Sequence, residues 1–269
     1  MQRQATCLSG HCQVSSYKAE SGHWYDVDGQ PAYTVTGANG KERNTTLRDA
    51  RKHNLVPSVT TILGVAAKPA LENWKIDQAI KAAMGYHQGP DESDNAYLYR
   101  IKDQAKQSSK EAADRGTEIH AMIERGYLGL DYTSQAFKSV NYILEGLHPH
   151  QDWSAEASFC SDLGYGGKID LYCPNEIVVD FKTKDDLEGK DPEKLVYDEH
   201  GMQLSAYAMG LGFDSPTRIS VFIDRQDPSI ALHYTWDKES HAKHCMMFKN
   251  LLSYWQLTKN YEPKLERLI

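Results

Sequence analysis

The pattern of apolar and polar residues predicts helices through much of the first half of the chain. We expect a short helix that opens at Pro57, longer helices over residues 68–84 and 97–127, and a further helix near 133–146. Ahead of these helices, β-forming residues alternate around Asp28-Gly29, which indicates a hairpin over residues 24–37.

The second half of the chain has the shorter period of a β-sheet. Three β-runs over 155–161, 167–173 and 177–182 are separated by short turns, which require antiparallel neighbours. A helix over 202–211 and strands over 218–223 and 230–236 follow, and Asp237 caps a closing helix that reaches about Lys259. Five apolar residues of that helix are expected to face the core: Met246, Met247, Leu251, Tyr254 and Leu257. This order of elements predicts a mixed central sheet flanked by helices.

The length of 269 residues fits a single domain with three parts. Residues 1–55 form a tail and the hairpin, 56–150 a helical part, and 151–269 the sheet core with the closing helix. The longest apolar stretches are too short to span a bilayer, and the first residues lack the apolar segment of a signal peptide. We therefore expect a cytoplasmic protein with no membrane partner.

The cysteines are odd in number and scattered. Five of them in a chain of this length indicate reduced thiols rather than a disulfide framework. Four N-terminal side chains leave a zinc site open as an alternative to a polar tail: Cys7, His11, Cys12 and His23.

The charge is unevenly distributed. The chain has a formal net charge of −7, and residues 151–200 hold 13 acidic and 5 basic residues. Some of these acids lie inside apolar strands, where burial of a carboxylate requires a compensating cation. This position indicates a metal site.

Two aspartates and a lysine carry the predicted chemistry. Asp170 and Asp180 lie on neighbouring strands, and Lys182 points to the same face as Asp180 because it is two residues further along. Carboxylate oxygens suit Mg²⁺ or Mn²⁺, and an ammonium group beside the metal can orient a water molecule or stabilise charge on a phosphate. The pattern indicates phosphodiester hydrolysis. The alternative is a surface strand of alternating charge.

Four motifs follow one another along the chain: Gly116-x-x-x-His120, Gly167-x-x-Asp170, Asp180-x-Lys182 and Gln203-x-x-x-Tyr207. In this order they make the chain similar to the PD-(D/E)XK nuclease superfamily and, within it, to the RecB-type exonuclease branch. The resemblance covers about 105–228, and residues 57–63 and 68–71 also resemble phage-encoded and mitochondrial genome maintenance exonucleases. It implies an α/β fold with a restriction-endonuclease-like core, an N-terminal hairpin and a helical extension.

The resemblance also implies a set of metal ligands. Asp170, Asp180 and the main-chain carbonyl of Phe181 would bind Mg²⁺ or Mn²⁺, and His120 would reach in from the long helix. Glu156 matches a less regular upstream acid. For His120 the alternative is a core histidine, and for Glu156 it is a solvated strand edge.

The remaining motif residues would act on the reaction. By resemblance, Lys182 positions the attacking water, and Gln203 and Tyr207, one helical turn apart, brace that lysine or the substrate phosphate. Members of the branch with an iron–sulfur cluster have three cysteines near the C-terminus. This chain has Cys245 alone there, so we expect no cluster.

A nuclease of net negative charge needs local basic patches to hold DNA. Main-chain N–H groups and hydroxyls at a helix start could take a phosphate, as could lysines and arginines along the long helix. The candidates are Ser58, Thr60, Thr61, Lys102, Lys106 and Arg115, with Lys110 and the more N-terminal Arg43, Arg48, Arg51 and Lys52 as further basic residues.

Together these features predict a metal-dependent DNA exonuclease that acts on single strands or open ends. Two alternatives stay open: an endonuclease of the same fold, and a catalytically silent module that binds DNA ends. The resemblance further implies a role in phage or bacterial recombination, repair or replication, and a single-strand annealing or binding protein as a partner.

Overall fold

The structure is a computed structural model that describes residues 22–265, apart from the side chain of Glu156. Cys7, His11 and Cys12, three of the four side chains of the zinc alternative, lie outside the described residues. Within the described part of the chain, no helix is both long and apolar enough to cross a membrane.

The N-terminal part contains two small antiparallel sheets. β1 (Trp24–Tyr25) pairs with β4 (Val56–Pro57), and β2 (Thr34–Thr36) pairs with β3 (Glu42–Asn44). α1 (Leu47–His53) joins the two sheets. A small N-terminal hairpin is therefore confirmed, but its predicted bounds are wrong.

The chain does turn at Asp26–Gln30, where Gly29 has a φ of +79°, but this turn makes only a single bridge between Tyr25 and Pro31. The regular ladder lies at 34–44, because β1 takes its main-chain partner from β4 instead.

Four helices follow: α2 (Val59–Leu63), α3 (Pro69–Gly85), α4 (Asp94–Tyr127) and α5 (Gln135–Leu147). The hydroxyls of Ser58, Ser93 and Ser134 cap the N-termini of α2, α4 and α5, as short polar side chains commonly do. The C-terminal half of α4 packs Ile119 and Ile123 into the core. The helix that carries His120 is thereby fixed against the sheet.

The central sheet has five strands in sequential order. They are β5 (Ser154–Ser161), β6 (Tyr165–Cys173), β7 (Ile177–Lys184), β8 (Thr217–Asp224) and β9 (Ala231–Trp236). All neighbours are antiparallel except β7 and β8, which are parallel and joined through α6 (Asp198–Gly210). This mixed sheet flanked by helices confirms the predicted restriction-endonuclease-like α/β fold.

The closing helix, α7 (Ser240–Lys259), faces the core differently from the prediction. Met246, Tyr254 and Leu257 are exposed, whereas Met247 and Leu251 pack against the core. The buried side chains lie on another stripe of α7: His241, His244, Phe248, Leu252 and Trp255. The helix starts at Ser240, whose N–H donates to the carboxylate of Asp237, so this acid does serve the helix end although it lies outside the cap position.

Candidate active site

The site forms where two strands of the central sheet separate. The ladder between β6 and β7 runs from Cys173–Ile177 to Leu171–Val179 and ends there. Asp170 and Asp180 follow directly on the two strands. The N–H of Phe181 donates to Asp170 Oδ2 at 2.8 Å, so a side chain has taken the place of the main-chain partner. Two carboxylates thus face each other at the fork.

Asp180 is almost completely buried, at 1 % exposure, and is held by two groups. Gln203 Nε2 donates to its Oδ1 at 2.7 Å, and Lys182 Nζ lies 2.6 Å from its Oδ2. The geometry of that ion pair leaves Oδ2 without a regular hydrogen bond. The ammonium group of Lys182 is thus the one charge that compensates this oxygen within ion-pair distance among the described residues.

α6 supplies the groups that order the lysine. The side-chain carbonyl of Gln203 accepts from Lys182 Nζ at 3.0 Å, and its amide donates both to Asp180 and to the hydroxyl of Tyr207, at 2.9 Å. Gln203 and Tyr207 stand one turn apart on the same helix face, as the motif spacing predicts. The side chain of Gln203 therefore contacts Asp180, Lys182 and Tyr207 and fixes their relative positions.

His120 approaches the fork from α4, on the other side of the sheet. Its Nδ1 lies 3.4 Å from Asp170 Oδ1, and its ring stands edge-on to that of Phe181 at 5.9 Å between centroids. The side chain is 32 % exposed, so this histidine is partly open to solvent rather than enclosed in the core.

Burial and charge act in opposite directions on the titratable groups of the site. Burial raises the pKa of Asp180 to about 6, and Asp170 adds to the rise while Lys182 opposes it. For Asp170, burial alone would raise the pKa, but the hydrogen bond and charge of His120 outweigh it and lower the pKa. For Lys182, burial is outweighed by the two aspartates, so the pKa of the amine is raised and it stays charged. The fork therefore places two carboxyl groups, those of Asp170 and Asp180, beside the single ammonium group of Lys182.

The glycines of two motifs allow the close packing around the site. A Cβ at Gly167 would lie 2.9 Å from the ring of Tyr207 and 2.8 Å from that of Phe159. A Cβ at Gly116 would lie 2.9 Å from the hydroxyl of Thr183, on the strand that carries Lys182. These glycines let α6 and α4 approach the sheet closely enough to reach the fork.

The structure also locates the less certain predicted residues. The backbone of residue 156 lies between Ala155 and Ala157, which pair with Leu171 and Ile169, and so stands opposite Asp170. The role of Glu156 as a metal contact stays a prediction, because its side chain is outside the described set. Phe181 lies in β7 next to Asp180, with its N–H directed to Asp170.

Three of the predicted DNA contacts are side-chain hydroxyls at the start of α2, which lies near the central sheet. Ser58 makes a bridge to Gly166 and is 3 % exposed, and its hydroxyl bonds to those of Thr60 and Thr61. These three hydroxyls are thus engaged with one another at the helix start, and a phosphate contact by them stays a prediction.

The basic candidates lie along α4. Lys102 and Lys106 are exposed on its N-terminal half. Arg115 pairs with Glu118 at 3.0 Å and donates to the carbonyl of Arg225 at 3.4 Å, which ties it to the far end of the parallel strand pair. Their contact with DNA also stays a prediction.

The donor set fits a hard divalent cation. Two carboxylates and an imidazole meet at the fork, and Asp180 Oδ2 is buried without a hydrogen bond. In the part of the chain that the structure describes, no three His, Cys, Asp or Glu side chains already stand at the spacing of a metal cage. The amine of Lys182 lies against the oxygen that a cation would contact.

Sequence reasoning missed two residues at the rim. Lys184 follows Lys182 on the same face of β7, and His200 lies one turn before Gln203 on α6. Their only sequence signal is this spacing, which places each on the face of a motif residue.

Comparisons with known proteins give a distant similarity. No protein-family model matches the chain, and no curated protein matches it. Three similar solved structures are a candidate exonuclease from Eubacterium rectale, an alkaline exonuclease from Laribacter hongkongensis and a phage-related exonuclease from Haemophilus somnus.

Their identities to this chain are 12%, 11% and 12%, and their TM-scores are 0.39, 0.38 and 0.30. The alignments cover 58%, 76% and 64% of this chain, and 72%, 89% and 90% of the other chains. With TM-scores below 0.5, these structures assign no activity or residue role to this chain.

Proposed function

We propose that the chain is a divalent-metal-dependent deoxyribonuclease of the PD-(D/E)XK superfamily, in its RecB-type exonuclease branch. The observation that carries the proposal is the convergence of four separate motifs on one fork of the sheet. Asp170 and Asp180 face each other there, Lys182 lies 2.6 Å from Asp180, and Gln203 bonds to both Asp180 and Lys182.

Asp170 and Asp180, with His120 and the main-chain carbonyl of Phe181, would hold Mg²⁺ or Mn²⁺. Asp180 Oδ2, which has the amine of Lys182 at 2.6 Å but no regular hydrogen bond among the described residues, supports this assignment. A bound divalent ion would polarise the phosphodiester and lower the pKa of a water molecule. No iron–sulfur cluster belongs to this proposal.

The protein groups then order the reactants. Lys182 stays protonated, so it can orient the attacking water and stabilise the charge that develops on a phosphate oxygen. Gln203 holds the amine through its carbonyl and the carboxylate through its amide. Burial raises the pKa of Tyr207 well above its usual value, so its phenol stays a hydrogen-bond donor and accepts from Gln203. Gln203 and Tyr207 of α6 would therefore act by holding Lys182 in position.

The substrate is DNA, attacked at single strands or open ends. The resemblance supports this choice, and Lys102, Lys106 and Arg115 along α4 would supply backbone contacts. The same resemblance supports a cytoplasmic role in phage or bacterial recombination, repair or replication, beside a single-strand annealing or binding protein.

Digestion of end-labelled DNA tests the proposal. Linear strands labelled at the 5′ or 3′ end and a circular single strand are incubated with Mg²⁺, with Mn²⁺ or with a chelator. We expect nucleotides to be released from linear strands only, and only with the metal. Cleavage of the circle would indicate an endonuclease of the same fold. Binding without cleavage under every metal condition would contradict the proposal and favour the end-binding module.

A further inference from the structure

We propose that Lys184, Tyr197 and His200 form a second phosphate-binding subsite beside Lys182. It would take a phosphate group of the substrate strand other than the one being cut. This inference rests on the proposed nuclease function, which it deepens by locating the strand next to the fork.

Lys184 is placed to continue the contact that Lys182 begins. Side chains alternate along a strand, so the two lysines of β7 point to one face and stand about 6.6 Å apart along it. The parallel ladder with β8 extends to Lys184, which pairs with Asp224, so this end of the strand is held by main-chain bonds. The position of the lysine backbone is thus fixed by the sheet.

Lys184 differs from its cationic neighbours in having no acid of its own. Lys182 pairs with Asp180, Lys68 with Glu199 and Arg225 with Asp185, at 2.6, 2.6 and 2.5 Å. Among the described residues, Lys184 makes no ion pair; its Nζ lies 5.4 Å from the centre of the Tyr197 ring. Three of these four cations therefore have a paired carboxylate, and Lys184 has none.

Lys184 lies at a partly buried position. Burial lowers its pKa, repulsion from Lys182 and Arg225 lowers it further, and the nearby Glu199 offsets part of this change. A cation held in this way is stabilised by an anion in contact with it. The acid that follows Tyr197 is already engaged, since Asp198 contacts Lys243 and His244 at 3.5 and 3.4 Å. An anion from outside the protein is the missing partner.

His200 supplies a second, independent sign of a missing ligand. It is 6 % exposed and packs against the rings of Tyr197 and Phe222, at 5.5 and 5.9 Å between centroids. Its buried Nδ1 has no hydrogen-bond partner within residues 22–265, although buried polar atoms are nearly always paired. Burial, together with Lys182, Lys184 and Lys68, lowers its pKa to about 3, so the ring is neutral and keeps one N–H donor.

The chemistry favours phosphate as the ligand. An ammonium group, an imidazole N–H and a rim of fixed positive charge suit a compact anion with several acceptor oxygens. In a nuclease the strand itself brings such groups, either as an internal phosphodiester or as a terminal monoester.

The salt dependence of DNA binding tests the subsite. A fluorescent single-stranded oligonucleotide is titrated by anisotropy at several salt concentrations in the presence of a chelator, which prevents cleavage. Each phosphate contact contributes about 0.7 to the slope of log K against log[salt] for a single strand. We expect Lys184→Met to reduce the slope by about 0.7, and Lys184→Arg to keep it. Lys138→Met, an exposed lysine on α5, is the matched control and should leave the slope unchanged.

His200→Gln keeps a hydrogen-bond donor but removes the imidazole ring. We expect it to weaken DNA binding about threefold to tenfold and to leave the slope of log K against log[salt] unchanged. Thermal unfolding of each variant verifies that it is folded. A slope in Lys184→Met equal to that of the wild type would overturn the subsite, as would an equal loss in Lys138→Met.

Two further experiments follow. The first compares oligonucleotides with a 5′-phosphate, a 3′-phosphate or hydroxyl ends, which shows whether the bound phosphate is an internal phosphodiester or a terminal monoester. An equal effect of Lys184→Met on all three identifies an internal phosphodiester, and an effect on one identifies a terminal phosphate; both support the subsite. Digestion by the wild type tests the function separately. If the wild type cleaves DNA but Lys184→Met has the salt slope of the wild type, the subsite alone is rejected. If the wild type binds DNA without cleaving it, the nuclease function alone is rejected. A wild type that binds no DNA overturns both.

Discussion

Two buried polar clusters lie on the same side of the central sheet, and they differ in how completely they are satisfied. One is the site cluster, made of Asp170, Asp180, Lys182, Gln203 and Tyr207. The other is the arginine cluster around Arg218, which is 1 % exposed on β8. Both contain charges removed from water, and both use α6, which provides Gln203 to one and Ser205 to the other.

The arginine cluster is satisfied by neutral acceptors. One terminal nitrogen of Arg218 donates to Ser205 Oγ at 2.9 Å and lies 3.1 Å from His244 Nδ1. The other donates to the carbonyl of Asp237 at 2.6 Å and to Ser240 Oγ at 2.8 Å. Its bonds connect β8, α6 and the start of α7. This cluster is a structural clamp.

The site cluster is less completely satisfied. Asp170 accepts from the N–H of Phe181, and Asp180 accepts from Gln203 and pairs with Lys182. Among the described residues, Asp180 Oδ2 has that amine at 2.6 Å but no regular hydrogen bond. Proteins tolerate such an arrangement where function requires it, because an unsatisfied buried charge costs stability. The comparison teaches that the candidate site is distinguished by its incomplete hydrogen-bond network, because buried charge is common to both clusters.

The largest difference between the clusters should appear in activity. We expect Asp180→Asn and Lys182→Met each to reduce the cleavage rate at least about a hundredfold, because Asp180 would hold the metal and Lys182 would stabilise the reacting phosphate. The free energy of unfolding should stay the same or rise for Asp180→Asn, since the substitution relieves repulsion from Asp170.

Rates of release from a labelled strand and urea unfolding curves measure both quantities. Asp162→Asn, on an exposed turn, serves as the control. Full activity in a folded Asp180→Asn or Lys182→Met protein would remove the site assignment.

The arginine cluster should show the opposite behaviour. Arg218→Met leaves four acceptors without their donor, and we expect it to lower the free energy of unfolding by about 2–4 kcal/mol. Its rate per folded molecule should stay within severalfold of the wild type. Chemical denaturation and an assay at a temperature where the variant is folded test this expectation. A hundredfold slower, fully folded Arg218→Met protein would show that the two clusters do not divide as described.

Packing between the helix and the sheet can be changed without touching a charge. Gly167→Ala would place a Cβ 2.9 Å from the Tyr207 ring, and we expect it to lower the free energy of unfolding by about 1–3 kcal/mol. The displaced Tyr207 should also slow cleavage. Gly146→Ala is the matched control, because nothing lies within 4 Å of its new Cβ and alanine favours a helix. Equal stability of Gly167→Ala and the wild type would contradict the close approach.

The smallest expected effect concerns pH. His200 stays neutral in the folded protein down to about pH 3, whereas in the unfolded chain it takes up a proton near pH 6.5. The unfolded state therefore binds more protons between these values, and stability falls as the pH falls through this range. We expect His200→Gln to lose about 1 kcal/mol less than the wild type over the pH unit below 6.5.

Unfolding curves at pH 7 and 5.5 test this difference. His53→Gln, at an exposed histidine, serves as the control and should follow the wild type. Parallel pH dependence in the wild type and His200→Gln would show that the imidazole is not held neutral.

Local patterns were enough to predict the sheet and which motif residues share a face at the candidate site. The five strands follow from β-formers between tight turns, and the motif spacings place Asp180 with Lys182 and Gln203 with Tyr207 on common faces. These relations span only two to four residues, so the periods of strand and helix determine them.

Relations between distant parts of the chain were not predictable in this way. β1 finds its partner at β4, so the turn at Asp28-Gly29 does not form the regular hairpin that its sequence favours. Which stripe of α7 is buried depends on its contact with α6, and Leu257 is consequently exposed. Arg218 resembles any surface residue at a strand start, because its acceptors come from α6 and α7, which lie elsewhere in the sequence.

Direct metal binding tests most closely whether the fork is a site for a divalent cation. Mn²⁺ is titrated into the wild type, Asp180→Asn and Arg218→Met, and free Mn²⁺ is followed by electron paramagnetic resonance. We predict that the wild type and Arg218→Met bind Mn²⁺ alike and that Asp180→Asn binds it at least about tenfold more weakly. Equal Mn²⁺ binding by the wild type and Asp180→Asn, or none by the wild type, would contradict the account.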